Sequence, residues 1–208
     1  MKQKIICMCE NSFEADIPEE IDLDSGDYIE KILNGSFLNF DCPSCGKKHK
    51  PEFPMMMLWP SRNLRFEVLR ELDRGEFYRR KKPLPDNGKQ ILETLIGYPE
   101  MTDRIAVIRD GFEPVIIETL KYYLYLKTEE QYPDAEPEIW YIKASADSIE
   151  FHIHGLKDDE VAMMKLPIPL YQKTLDDYSK NPKSDLFKAL RIHSYLSVKN
   201  TMQPEGFR

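Results

Sequence analysis

The four cysteines of this chain constrain its fold most strongly, because they form two close pairs separated by a long insert. Cys7 and Cys9 form a C-x-C motif, and Cys42 and Cys45 form a C-x₂-C motif after 32 intervening residues. A structural zinc site requires four thiolates in tetrahedral geometry, and each close pair lets one turn direct two sulfur atoms at one ion. The spacing predicts one structural Zn²⁺ bound by all four cysteines.

The residues around the second pair favour this interpretation. Pro43 fixes the backbone at the tight turn, and Gly46 permits a positive φ angle just after the last ligand. Iron–sulfur ligands usually have other spacings. A redox-active dithiol needs an exposed thiol of low pKa beside a positive group, and Lys47 and Lys48 are near. An iron–sulfur centre, a redox dithiol and buried free thiols therefore remain alternatives.

Composition excludes several classes of protein. No stretch of the 208 residues approaches the roughly 20 apolar residues that cross a bilayer. The amino end lacks the apolar run of about 7–15 residues found in signal peptides. We therefore expect a cytoplasmic protein with reduced thiols. The formal net charge of −7 argues against broad electrostatic binding to nucleic acid, although residues 62–83 carry eight basic and four acidic residues.

Turn-forming residues predict a chain of two parts. The stretch RRKKPLPDNG at 79–88 combines two prolines, an Asp-Asn-Gly turn and a charge run. We therefore expect an α+β protein with four segments in chain order: a zinc-ribbon-like β module at 1–78, a linker at 79–88, a helical and antiparallel-sheet part at 89–200, and a flexible tail at 201–208.

Within the first part, alternating apolar residues predict a hairpin over 2–18 with Cys7 and Cys9 at its tip. Capping and spacing predict a short helix over 25–35, and two apolar runs predict a strand pair over 54–60 and 63–72. The three consecutive methionines, 55–57, are interpreted as core residues rather than as a soft-metal site, since thioethers fill apolar gaps well.

The second part shows helical and strand patterns in turn. The predicted helices cover 88–97, two segments within 102–131, 169–180 and 184–200, the last one capped by Ser184. The predicted strands form an antiparallel meander over 138–144, 148–155 and 160–168.

Few other residues suggest chemistry. Glu150, His152 and His154 alternate on one strand face, which suits either a solvated polar face or a metal site. His49 is interpreted as a surface residue rather than as a substitute ligand, and His193 has no assigned role. No glycine-rich phosphate loop, G-x-S-x-G elbow or H-E-x-x-H helix occurs, so the sequence offers no catalytic motif.

The cysteine motifs resemble those of the CpXC-domain family of bacteria and archaea, a presumed domain named after its two cysteine motifs. The resemblance rests on CMC, KILNG and CPSCG followed by PEFPMMMLWPSRNL, and it covers about residues 3–130. Family members commonly have glycine after the first pair, where this chain has Glu10, and the first motif here has no proline. The resemblance implies zinc binding and no established activity.

We therefore expect a binding or adaptor protein built on a structural zinc module. Aromatic residues in the second part favour a protein-binding or self-association face, and they are Tyr122, Tyr123, Tyr125, Tyr132, Trp140 and Tyr141. One alternative is a nucleic-acid-binding zinc ribbon that uses Arg79, Arg80, Lys81 and Lys82 beside two aromatic residues. Another is an unrecognised enzyme with a pocket between the two parts.

Overall fold

The protein is described by a computed structural model that covers residues 2–79 and 90–202. The chain groups into two compact units, residues 1–102 and 103–208. Helices mix with strands, which confirms the predicted α+β class. In the part of the chain that is described, no helix has the length and apolar character of a membrane span. The predicted linker and tail lie mostly outside the described residues, so their boundaries stay a prediction.

The first unit contains two hairpins and four further strands. Its strands, in chain order, are β1 (Lys2–Ile6), β2 (Ser12–Asp16), β3 (Glu20–Asp22), β4 (Phe40–Asp41), β5 (Lys48–His49), β6 (Met55–Trp59), β7 (Leu64–Leu69) and β8 (Ile91–Ile96). Its helices are α1 (Tyr28–Leu33) and α2 (Arg74–Arg79), and the next helix, α3 (Tyr98–Arg109), contains the boundary between the units. β1 pairs with β2 and β4 pairs with β5, both antiparallel.

The remaining strands of the first unit lie side by side in the order β8, β7, β6, β3. The central pair β6 and β7 is antiparallel, and each outer strand runs parallel to its neighbour. Met55, Met57 and Trp59 are buried, while the residues between them are half-buried. Met57 has no exposed surface at all, which confirms that the methionine run belongs to the core.

The prediction of a helix over 88–97 is wrong, because this segment forms β8. Apolar residues at 91, 92, 95 and 96 suit either a helix face or a buried strand, and a run of six residues cannot distinguish them. Pairing with β7 decides the outcome. Four consecutive residues, 93–96, are buried, as expected for a parallel strand covered on both faces.

An apolar cluster lies beneath the two hairpins. Ile5, Ala15 and Ile17 are its buried members, and Phe13, Leu38, Phe40 and Phe53 pack against them. The alternation predicted for β2 is therefore confirmed. Because Phe13 belongs to the first hairpin and Phe40 to the second, the cluster joins the elements that carry the two cysteine motifs.

The second unit combines helices with a three-stranded meander. After α3, its elements are α4 (Pro114–Gln131), β9 (Glu138–Ala144), β10 (Ser148–His154), β11 (Ala162–Pro167), α5 (Ile168–Lys180), α6 (Asp185–Ala189), β12 (Arg191–Ile192) and β13 (Tyr195–Leu196). A 3-10 helix over Val198–Met202 follows. The strand order β11, β10, β9 and the antiparallel pairing confirm the predicted meander. Pro114 occupies the first turn of α4, as predicted.

The prediction of a helix over 184–200 is correct only for its first turns. Ser184 stands at the N-cap position of α6, without a side-chain capping hydrogen bond. The chain then turns at His193, whose φ of 53° is left-handed, and β12 pairs with β13. The side-chain Nδ2 of Asn200 donates to the carbonyl oxygens of Leu190 and Tyr195, which fixes this irregular segment.

Four charged side chains meet in the interior of the second unit. Lys121 Nζ lies 2.6 Å from Asp103 Oδ2 and 2.8 Å from Glu118 Oε1. Arg104 lies 3.5 Å from Glu118 and donates to the carbonyl of Leu196. All four charged side chains are at most 6% exposed. Two acids therefore balance two bases away from water.

Backbone amides complete this ion network. The amide of Tyr141 donates to Asp103, and the amide of Val198 donates to Glu118. Burial opposes the charge on Lys121, but the attraction of Asp103 and Glu118 outweighs it and raises the pKa of Lys121. Burial raises the pKa of Asp103, and the attraction of Lys121 offsets only part of that effect. The network connects α3, α4, β9 and the carboxyl-terminal segment.

Candidate metal centre

The first cysteine motif forms the tip of the hairpin between β1 and β2, as predicted. The amide of Cys7 donates to the carbonyl of Asn11, and the amide of Glu10 donates to the carbonyl of Cys7. Glu10 has a φ of 67°, in the left-handed region that glycine adopts most easily. The position at which the related family commonly has glycine is therefore the position where this turn requires an unusual backbone angle.

The second motif forms the turn between β4 and β5. The amide of Gly46 donates to the carbonyl of Cys42, and the amide of Cys42 donates to the carbonyl of Lys47. Gly46 has a φ of 71°, which confirms the predicted reason for a glycine here. Each cysteine pair thus lies in a tight turn held by backbone hydrogen bonds at both ends.

The two turns bring four sulfur atoms together. The four Sγ atoms all lie within 4.8 Å of one another. The Sγ atoms of Cys7 and Cys45 are 3.6 Å apart, and those of Cys9 and Cys42 are 3.7 Å apart. Tetrahedral Zn–S bonds of about 2.3 Å place sulfur atoms about 3.8 Å apart. The cluster can therefore hold a metal ion of this size with little movement.

Burial differs between the two members of each motif. Cys7 and Cys42 are buried, whereas Cys9 and Cys45 are exposed, and all four are free thiols. The first cysteine of each motif is therefore shielded from water, and the second is exposed to it.

The surroundings of the two buried thiols shift their pKa values in opposite directions. Burial opposes ionisation of Cys42, but hydrogen bonds from the backbone of Cys45 and Ser44 and from Asn11 lower its pKa to about 6. A backbone hydrogen bond from Cys9 favours the thiolate of Cys7, yet burial and the neighbouring thiols raise the pKa of Cys7 to about 12. A metal ion held by all four sulfur atoms would displace the proton of Cys7.

Asn11 is a site residue that the sequence analysis missed. Its Nδ2 atom lies 3.7 Å from the Sγ of Cys42 and donates to it across the two hairpins. Such outer hydrogen bonds orient metal ligands and tune their basicity. The only sequence signal was the position of Asn11 directly after the first turn. The contact could not be predicted, because it depends on how close the two hairpins lie.

The alternative of a metal site at Glu150, His152 and His154 is not realised in the part of the chain that the structure describes. Across residues 2–79 and 90–202, the four cysteines are the one group of three or more metal-binding side chains brought together. Glu150 is buried and His152 Nε2 lies 3.5 Å from it, while His154 is exposed. His49 is half-buried rather than a surface residue, because its ring packs edge-on against Phe13.

The basic run falls mostly outside the described residues. Arg79 ends α2, and Arg80, Lys81 and Lys82 are not described. The aromatic residue Phe77 is buried, so it offers no free stacking surface beside Arg79. The pocket expected between the two parts stays a prediction.

Comparisons with known proteins give one family and one relative. A family model with the description "CpXC protein" matches residues 5–121. A protein of Treponema pallidum (strain Nichols), named only as an uncharacterized protein, is 25% identical over an alignment of 213 residues. The alignment covers 93% of this chain and 95% of the relative. No solved structure matches the chain significantly.

Proposed function

The chain belongs to the CpXC protein family, and from this premise we propose that Cys7, Cys9, Cys42 and Cys45 bind one structural Zn²⁺ in a ribbon-like module. The observation that carries the proposal is the approach of four sulfur atoms from two hairpins to within 4.8 Å. Bound Zn²⁺ supplies folding free energy to small modules. Closed thiolate sets of this kind usually select zinc.

We propose a binding or adaptor role for this module rather than catalysis. Four protein ligands leave no open position for a catalytic water. Large apolar side chains are exposed at and beside the first turn: Met8 is 84% exposed, and Ile6, the last residue of β1, is 72% exposed. Lys47 Nζ lies 2.8 Å from Met8 Sδ, so the second turn supports the first. A rigid turn that presents apolar side chains suits a protein partner in the cytoplasm, where thiols remain reduced.

Metal analysis tests the site. The protein is purified without added metal or chelator, and its metal content is measured by inductively coupled plasma mass spectrometry. We expect about one zinc per chain, and none after all four cysteines are replaced by serine. His152→Ala/His154→Ala is the control and should retain the metal. A native protein without metal, whose thiols react freely, would overturn the proposal.

Partner binding is tested separately. Ile6→Thr/Met8→Gln removes the exposed apolar side chains of the first turn without touching a ligand. Val161→Thr/Met163→Gln is the matched control, because these residues are also exposed and apolar, at 49% and 59%, but lie in the second unit. Quantitative cross-linking in cell extract, together with sedimentation, should show a partner or a self-associated form that the first variant loses and the control keeps. Equal behaviour of both variants would contradict the adaptor role.

A further inference from the structure

Two sulfur contacts of the cysteine cluster join the two hairpins. The contact of 3.6 Å pairs Cys7 with Cys45, and that of 3.7 Å pairs Cys9 with Cys42. Each pair contains one buried cysteine and one exposed cysteine. Each pair therefore has one cysteine exposed to solvent and one buried cysteine whose sulfur atom is in contact with that of the first.

We propose that the cluster is an oxidation site for peroxides, where two disulfides form across the hairpins, Cys7–Cys45 and Cys9–Cys42, and the metal is released. This inference rests on the proposed metal function and adds regulation to it. Four cysteines allow three pairings, and the inference commits to the one whose paired sulfur atoms are 3.6 and 3.7 Å apart.

The chemistry starts at the exposed sulfur atoms. The Sγ of Cys9 takes one oxygen atom from hydrogen peroxide, the O–O bond breaks, and a sulfenic acid and water form. The Sγ of Cys42 then attacks this sulfur, the S–S bond forms, the S–O bond breaks, and the oxygen leaves as a second water. Because metal ligands are thiolates, the two sulfur atoms lose two electrons, solvent supplies two protons, and one peroxide is reduced to two waters. Cys45 and Cys7 react in the same way with a second peroxide.

The fold keeps these sulfur atoms in place during the reaction. A disulfide bond is about 2.05 Å long, so the sulfur atoms of each pair must approach by about 1.6 Å. The apolar cluster of Ile5, Ala15 and Ile17 holds the first hairpin, and Phe40 of the second hairpin packs against it. The hairpins therefore remain neighbours when ligands are lost, and disulfides between them preserve the arrangement.

Trypsin distinguishes the pairings, because lysines separate the two motifs. Cleavage after Lys4, Lys31 and Lys47 places Cys7 and Cys9 in peptide 5–31 and Cys42 and Cys45 in peptide 32–47. The full chain, with its metal content measured, is titrated with hydrogen peroxide while a chromogenic chelator reports released metal. Free thiols are then alkylated, the protein is digested, and the peptides are identified by mass spectrometry.

We expect two equivalents of peroxide to release the metal and to join the two peptides, with fragmentation showing the pairs 7–45 and 9–42. Two separate peptides, each with an internal disulfide, would overturn the inference. So would an intact metal site with four reduced thiols after excess peroxide, a result that leaves the proposed metal function standing. If the purified protein contains no metal, the metal function fails, while the same digest still tests the pairing.

Two double variants test the pairing independently of the metal. Cys9→Ser/Cys42→Ser leaves Cys7 and Cys45, which are in contact, and Cys9→Ser/Cys45→Ser leaves Cys7 and Cys42, which are both buried. Peroxide should form the disulfide in the first variant roughly tenfold faster than in the second, since access controls the reaction. Far-ultraviolet circular dichroism verifies that both variants are folded. Equal rates in two folded variants contradict the proposed pairing.

Discussion

Replacement of Lys121 by methionine should strongly destabilise the second unit. The substitution keeps the length and apolar stem of the side chain and removes its charge, so Asp103 and Glu118 share the interior with Arg104 alone. At an effective dielectric constant of 20, the attraction between Lys121 and Asp103 over 2.6 Å amounts to about 6 kcal/mol before desolvation is subtracted. Loss of one partner from a buried ion pair typically costs about 3–5 kcal/mol.

This loss is large compared with the roughly 5–15 kcal/mol that stabilises a typical domain. The assay is urea unfolding followed by tryptophan fluorescence. The chain has two tryptophans, and Trp140 lies in the second unit with its ring 5.9 Å from Lys121 Nζ. A Trp59→Phe background therefore leaves one reporter that senses the second unit.

Two further variants make the measurement specific. Lys127→Met alters an exposed lysine of the same helix and should cost less than about 0.5 kcal/mol. Asp103→Asn/Lys121→Met leaves the Glu118–Arg104 pair balanced and should be more stable than Lys121→Met alone. The loss of unfolding free energy caused by Lys121→Met should become smaller as pH falls from 7 towards 4, because a protonated carboxyl group needs no neighbouring cation. A cost below about 1 kcal/mol, equal to that of Lys127→Met, would refute the reasoning.

Three further predictions concern backbone angles and a buried phenol. Glu10→Gly should stabilise the first unit by about 1 kcal/mol, because φ at this position is 67° and glycine adopts this left-handed region without steric cost. Glu14→Gly within β2 should destabilise the unit. Chemical denaturation checks both variants. Gly155→Ala should cost about 1–3 kcal/mol more stability than Gly111→Ala, although the two glycines have nearly the same φ. The reason is that a Cβ at position 155 would lie 2.5 Å from a backbone oxygen, whereas a Cβ at position 111 meets nothing within 4 Å. Thermal unfolding of the two variants checks the difference. Burial raises the pKa of Tyr98 from 10.0 to about 12, so the unfolded chain ionises first and stability should fall between these pH values. Tyr98→Phe should flatten that fall in unfolding measured against pH, and an unchanged slope would contradict the assignment.

Local patterns predicted the cysteine turns and most strands correctly. Ligand spacing and the glycine at position 46 act within a few residues, and the alternation in β2 reports one buried face directly. The helix prediction for the β8 segment was wrong because its short apolar run suits either a helix or a buried strand. Pairing with β7, which is distant in sequence, decides between the two. The helix prediction was also wrong for the segment after α6. There the left-handed backbone angle of His193 ends the helical path, and hydrogen bonds from the side chain of Asn200 replace helical ones.

Polar residues at helical spacing concealed the ion network. Glu118 and Lys121 are three positions apart, as in an ordinary exposed pair on a helix surface. Only the fold shows that Asp103 and the amide of Val198 meet them in the interior. Asn11 is similar, since its hydrogen bond crosses between hairpins.

The position of β3 between the two cysteine motifs has a consequence for folding kinetics. Cys9 and Cys42 are separated by 33 positions, and β3 lies within this loop while its parallel partner β6 lies beyond it. Closing a loop of this length in an unfolded chain costs roughly 3–4 kcal/mol of chain entropy. With the proposed ion bound early, that entropy is lost before the strands pair, and the search for the parallel register becomes shorter. The refolding rate of the first unit should therefore rise with the concentration of free Zn²⁺, whereas the second unit, which contains none of the four cysteines, should refold at a rate independent of it.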